Sequence, residues 1–181
     1  CFLMNVGYSF LQSSLHWVSA PVLIGSIGCV LKAQNSPKGE KGKWMHRHKS
    51  LGLLSFFVLV PRVGAKLMSS RVMPLLESSP LEQAAAKASH FALYGFMTVM
   101  PVSGIAMGLY GGKGLPFFYT TLGKGWVDKD GKFAGKAFKI HKTIGTYGKY
   151  LVPLHVGAAG AHAARGHGIF HRVSPWRSTQ M

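Results

Sequence analysis

The chain has 181 residues, 48% of them hydrophobic, with 21 lysines and arginines against five acidic side chains, a net charge of +16 and a mean hydropathy of +0.18. A soluble protein this basic would point to nucleic acid, but no recognition motif for nucleic acid is present and the cations lie in short stretches beside long apolar ones. A membrane-spanning helix takes about 20 mostly apolar residues, so this length holds four spans in a single domain, 1–181, and the partners it implies are membrane lipids.

No charge occurs between Cys1 and Leu31, and a first helix is predicted at 8–31. Its length, its His16 and the lack of a basic start argue against a cleaved signal peptide. A basic linker, Lys32 to Lys49, leads to a second helix at 48–69, and a linker with two prolines, Ser70 to Glu82, leads to a third at 84–110. The glycine-rich stretch Gly111 to Lys139 separates this from a fourth at 140–165. Pro21, Pro61, Pro101 and Pro153 fall inside these spans, a pattern tolerated where neighbouring helices or water satisfy the freed carbonyls. Cys1 and Cys29 would be about 40 Å apart along one helix, too far for a disulfide. No Cys-x-x-Cys-His occurs, so covalent c-type haem attachment is not expected.

The chemistry lies in the histidines. His141 and His155 are fourteen residues apart, an advance of about 21 Å and nearly four whole turns, so both rings leave one face at opposite depths of the membrane. If helix 1 starts on side A, alternation puts His16 and His90 near side A and His48 and His141 near side B, and returns His155 to A. Each depth then has a pair from facing helices: His48 with His141, and His16 with His155. Imidazole is a preferred axial ligand of haem iron, and ionisable groups inside membrane helices mark function. Gly52 and Gly145 each follow a ligand candidate by four residues, leaving room for a flat macrocycle, although glycine also serves close helix packing. Zinc fits less well, because its four ligands converge at one point. A solitary membrane histidine can also be a hydrogen-bonded packing residue, but four at matched depths are harder to explain that way. His46 reads as a loop residue, and His162, His167 and His171 as solvated or lipid-facing residues at headgroup level.

Several short motifs recur in order: His16-Trp17; His48 with Gly52 and, fourteen residues on, Arg62; His90-x-x-Leu93-Tyr94 followed by Pro101 and Gly104; His141 to His155 with His162 seven later; and a closing Arg172-Val173-Ser174-Pro175-Trp176. In this set the chain resembles the bacterial-type cytochrome b561 family, related in architecture to the b-type subunits of formate dehydrogenase and nickel-iron hydrogenase. The resemblance implies an all-α integral membrane four-helix bundle binding two b haems between its helices, ligated by His16 with His155 and by His48 with His141. His90 is open between replacing His16 as ligand, serving a quinone and serving a haem propionate. Arg62 is open between pairing with a propionate or quinone carbonyl and anchoring to lipid phosphate.

Two axial histidines leave the iron no open position, so the work left is one-electron transfer. The family implies a quinone at one end of the wire. At the other it implies a redox partner or a small oxidant or reductant such as superoxide, which would make the protein a quinone-linked oxidoreductase. The alternative is a haem-binding accessory subunit of a larger respiratory or photosynthetic complex, without its own turnover. The two loops that hold most of the cations, Lys32 to Lys49 and Gly111 to Lys139, both lie on side B. The positive-inside rule makes that side cytoplasmic, matrix or stromal, whereas the family's orientation puts it outside, where it would steer in an anionic donor or acidic partner, or bind anionic headgroups. The membrane itself is left open between bacterial plasma membrane, mitochondrial inner membrane and thylakoid.

Overall fold

The computed structural model describes residues 8–68 and 79–176. Six helices and one small hairpin follow in order: α1 (Phe10–Asn35), α2 (Lys38–Met68), α3 (Pro80–Tyr110), β1 (Leu115–Phe117), β2 (Thr120–Leu122), α4 (Gly131–Gly148), α5 (Leu151–Ala164) and α6 (Ile169–Val173). Among the described residues, α1, α2 and α3 are long and apolar enough to cross a membrane.

Local chemistry sets the ends. Ser9 caps α1: its hydroxyl accepts from the Gln12 amide while the Gln12 side chain accepts from the Ser9 amide, so two otherwise orphaned donors are satisfied. Ser79 and Glu82 make the same reciprocal pair on α3, with Pro80 in the first turn, where its missing N–H costs nothing. This helix therefore starts four residues before the predicted boundary, inside what reads as a linker. The larger difference is at α2, which begins at Lys38 rather than His48. Lysine, arginine, glutamate and methionine are good helix formers, and a basic segment in the water layer continues a helix as readily as it interrupts an apolar run. At 31 residues, α2 and α3 are each about 46 Å long and outreach the roughly 30 Å hydrocarbon layer.

The predicted fourth helix ends within one residue of its expected boundary but differs at its start and in its middle. It starts at Gly131, capped by the Asp130 carboxylate accepting from the Phe133 amide, and it is interrupted at Lys149–Tyr150. Pro153 explains the interruption: it has no N–H for the Lys149 carbonyl, and its ring crowds that turn. Lys149 (φ −56°, ψ −26°) and Tyr150 (φ −75°, ψ −16°) keep right-handed helical dihedrals, so α4 and α5 continue in one direction through a hinge. Pro21, Pro61 and Pro101 lie inside uninterrupted helices.

The glycine-rich linker folds into an antiparallel hairpin, Leu115 opposite Leu122 and Phe117 opposite Thr120. Gly114 (φ +70°) and Gly123 (φ +68°) flank it in the left-handed region open to glycine. The hairpin docks on α2 through Ser50, whose hydroxyl accepts from the Phe118 amide at 2.9 Å, and through the Phe57–Phe117 ring contact. His46, on α2 rather than in a loop, bonds the Phe118 carbonyl through Nε2 at 2.7 Å. Phe117 is thus tied to the bundle, while Tyr119 and Trp126 remain exposed.

The burial pattern is that of a membrane bundle. Buried residues include Ser13, Ser19, Ser26, Ser50 and Ser103 together with Ala33, Leu53, Leu59, Phe96 and Met97, whereas Ile24, Phe57, Val60, Phe91 and Leu154 face outward. In lipid, outward apolar side chains are solvated, and small polar residues let helices approach and bond each other. Gly108 lies at such an approach: a Cβ there would stand 2.7 Å from the Gly114 carbonyl oxygen. Gly108→Ala is expected to cost about 1–3 kcal/mol, read as a lower thermal midpoint in detergent; an unchanged midpoint would mean that the loop yields freely.

Candidate functional site

Five of the histidines converge at two levels between the helices. At one level, α2 and α4 bring His48 and His141 together, ring centres 6.1 Å apart and planes at 76°. At the other, α1 and α5 bring His16 and His155 together at 6.4 Å and 68°, and α3 adds His90, 5.4 Å from His155. The pairing that alternation of helix direction predicts is the one the bundle makes. His90 is an exposed neighbour of His155, whereas the other four rings are half-buried.

The His48–His141 level is held by buried hydroxyls and a carbonyl. His48 Nδ1 donates to the Ser26 carbonyl at 2.9 Å, and the Ser26 hydroxyl donates to the His48 carbonyl at 3.3 Å. His141 Nδ1 lies 2.9 Å from the Ser103 hydroxyl, which spends its own proton on the Val99 carbonyl at 2.6 Å and so accepts from the ring. Both imidazoles therefore carry their proton on Nδ1 and keep the Nε2 lone pair free. Gly104 completes the seat, since a Cβ there would lie 3.5 Å from His141 Cε1.

The other level is organised around Arg62. Its guanidinium reaches inward, donating to His16 Nδ1 at 3.0 Å and to the Ser19 hydroxyl, and it lies 5.8 Å from the centre of the Tyr94 ring. Because a guanidinium only donates, His16 Nδ1 is the acceptor, and the ring's proton is on Nε2. The two levels thus differ in kind: one presents two free lone pairs, the other three imidazoles beside a cation. Among the described residues the one ion pair is Arg165–Glu82, so no carboxylate pairs with Arg62.

Gly52 and Gly145 sit at helix contacts. A Cβ on Gly52 would come 4.0 Å from Ser26 Oγ, an ordinary contact, whereas one on Gly145 would come 3.0 Å from Met100 Cε, so Gly145 lies where α4 packs closely on α3. The serines at Nδ1 are the residues the sequence reading missed. Their signal was available: Ser26 and Ser103 each adjoin a glycine inside an uncharged run, as Gly25-Ser26 and Ser103-Gly104.

Histidine pairs held between apolar helices in this way define a helical membrane protein of the b-type cytochrome class. Residues 7–176 match the family described as prokaryotic cytochrome b561. Cytochrome b561 homolog 2 of Escherichia coli (strain K12) is 31% identical over 123 residues, 67% of this chain and 62% of that protein. Cytochrome b561 homolog 1 of the same strain is 24% identical over 157 residues, 86% of this chain and 89% of its own. The chain belongs to the prokaryotic cytochrome b561 family, integral membrane proteins that transfer electrons through b-type haem.

The residues present fit that group. Two imidazoles facing one metal across bonds of about 2.0 Å have ring centres about 6 Å apart, against the 6.1 and 6.4 Å found here. The free Nε2 lone pairs of His48 and His141 are the donors such a metal takes. Gly104→Leu is expected to displace the His141 ring and lower the haem b content of the purified protein, while Gly104→Ala retains it. Equal haem in both variants would show that the ring does not depend on this seat.

Proposed function

We propose that the protein holds two b haems, one between His48 and His141 and one between His16 and His155, in a bundle whose fourth span is the hinged α4–α5 segment. The observation that carries this reading is the pair of ring separations, 6.1 and 6.4 Å, at two levels fourteen residues apart along that segment. When bound, each haem supplies a reversible one-electron couple with both axial positions filled. The chain holds that couple in place, shields it from water and sets its potential.

Arg62 is the anion-binding element of the His16–His155 level. A carboxylate such as a haem propionate would draw the guanidinium off His16 Nδ1, letting the ring's proton move there and freeing Nε2. His90, beside His155, serves a quinone that exchanges electrons at this end. The hairpin end, with Lys113, Lys124 and Lys129 around exposed Tyr119 and Trp126, receives a small anionic donor such as superoxide or an acidic redox partner by electrostatic steering. The His162 region, two turns past His155, lies at the quinone end.

Pyridine haemochrome quantitation tests the core of this reading: two haems b per chain are expected, and one after His48→Ala or His141→Ala. A single haem in the unaltered protein would overturn it. Ser103→Ala removes the acceptor that makes His141 more basic, and it should raise one midpoint potential by about 20–65 mV, the equivalent of one hydrogen bond of about 0.5–1.5 kcal/mol. In a potentiometric titration the second midpoint stays where it was. His90→Ala is expected to keep both haems and slow quinone reduction; normal quinone kinetics would remove His90 from that role.

A further inference from the structure

We infer that His162 and His167 form a binding site for a divalent transition-metal ion at the C-terminal end of α5, apart from the paired rings of the interior. Expected at headgroup level as solvated or lipid-facing residues, these two histidines face each other: their Nδ1 atoms are 3.0 Å apart, with ring centres at 5.2 Å and planes tilted by 31°. Two nitrogens that bind one metal in adjacent positions at about 2.0–2.1 Å lie about 3.0–3.4 Å apart. The spacing is the one a chelate needs, before any ion is present.

The backbone preorganises it. Gly166 ends α5 in the left-handed conformation (φ +82°), the His167 amide donates to the His162 carbonyl at 3.1 Å, and the Gly166 amide donates to the Ala163 carbonyl at 3.0 Å. This is the Schellman termination, which brings the side chain two places past the helix end over the one in its last turn. In most helices an apolar contact fills that position. Here both members are histidine, so a motif that normally seals a helix end presents two imidazole nitrogens instead.

The electrostatics permit a cation. Arg165, the residue between them nearest in charge, is engaged by Glu82 of α3 at 2.7 Å, so the dipositive ion meets a compensated pair rather than a free guanidinium. No group of three metal-ligating side chains occurs among the described residues, and water completes the coordination. Two imidazoles with water ligands favour copper over zinc, nickel and cobalt in the usual order of divalent affinities. The hydrogen bond between the rings requires one of them to carry its proton on Nδ1. Binding shifts that proton to Nε2, and no net charge need leave the protein.

The test is titration of the oxidised, haem-loaded protein in detergent with Cu(II), followed by electron paramagnetic resonance. One ion per chain with hyperfine splitting from two nitrogens is expected. His162→Ala and His167→Ala should each weaken binding by about tenfold or more, with haem spectra unchanged as the check on folding. Gly166→Ala retains both histidines but strains the turn that pairs them, and should weaken binding as well. His171→Ala and His46→Ala are expected to bind copper as the unaltered protein does. Absence of stoichiometric binding, affinity unchanged in the two alanine variants, or loss of the signal on removing His171 or His46 would each overturn the site. None of these outcomes depends on how many haems the interior holds.

Discussion

The bundle depends on how polar rings are satisfied where there is no water. An imidazole placed in an apolar layer costs several kcal/mol unless its nitrogens are bonded, and three of the interior rings have a specific partner at Nδ1. The Ser26 carbonyl, the Ser103 hydroxyl and the Arg62 guanidinium fix three Nδ1 atoms from adjacent helices. Those bonds also choose the tautomer, and the tautomer decides which nitrogen is left to act as a donor to metal. Helix packing and the state of these rings are therefore set by the same contacts, which is why Ser26 and Ser103 stand where a soluble core would carry leucine or valine.

The fold serves those contacts by simple means. Small residues let α1 and α3 pack closely on α2, and the hairpin between α3 and α4 is tied to α2 through β1 and the turn at Phe118. The two levels that result are unequal. Around His48 and His141 the hydrogen-bond pattern is complete and neutral, whereas around His16 and His155 a cation and a third imidazole remain. One level presents two imidazoles with free Nε2 lone pairs; the other sets a guanidinium beside its rings.

Much of this was legible in the sequence, because the regularities that carry it are geometric. Alternating helix direction and a fourteen-residue interval were enough to predict which histidines meet, and the ordered motifs were enough to identify the family. What escaped the sequence depends on particular local chemistry. Charge was read as a helix boundary at Lys38–Lys49, although lysine and glutamate propagate helix well. Pro153 breaks the last segment while Pro21, Pro61 and Pro101 do not break theirs, and no local rule separates the four. The roles of Ser26 and Ser103 needed the neighbouring helix in place, since a hydroxyl reveals its partner only in three dimensions.

The hinge at Lys149–Tyr150 has a consequence for how such a protein can vary. His141 and His155 belong to one continuous segment, and in a straight helix any added or lost residue between them would swing one ring about 100° away from its partner. A hinge breaks that rigid phase. A change in α5 can be taken up at Lys149 and Tyr150, whose amides already bond loosely at 3.4 and 3.3 Å, without turning the His141 side of the segment. The two levels are in this sense modular: the chain around the Arg62 end can vary while the Ser103 end keeps its geometry.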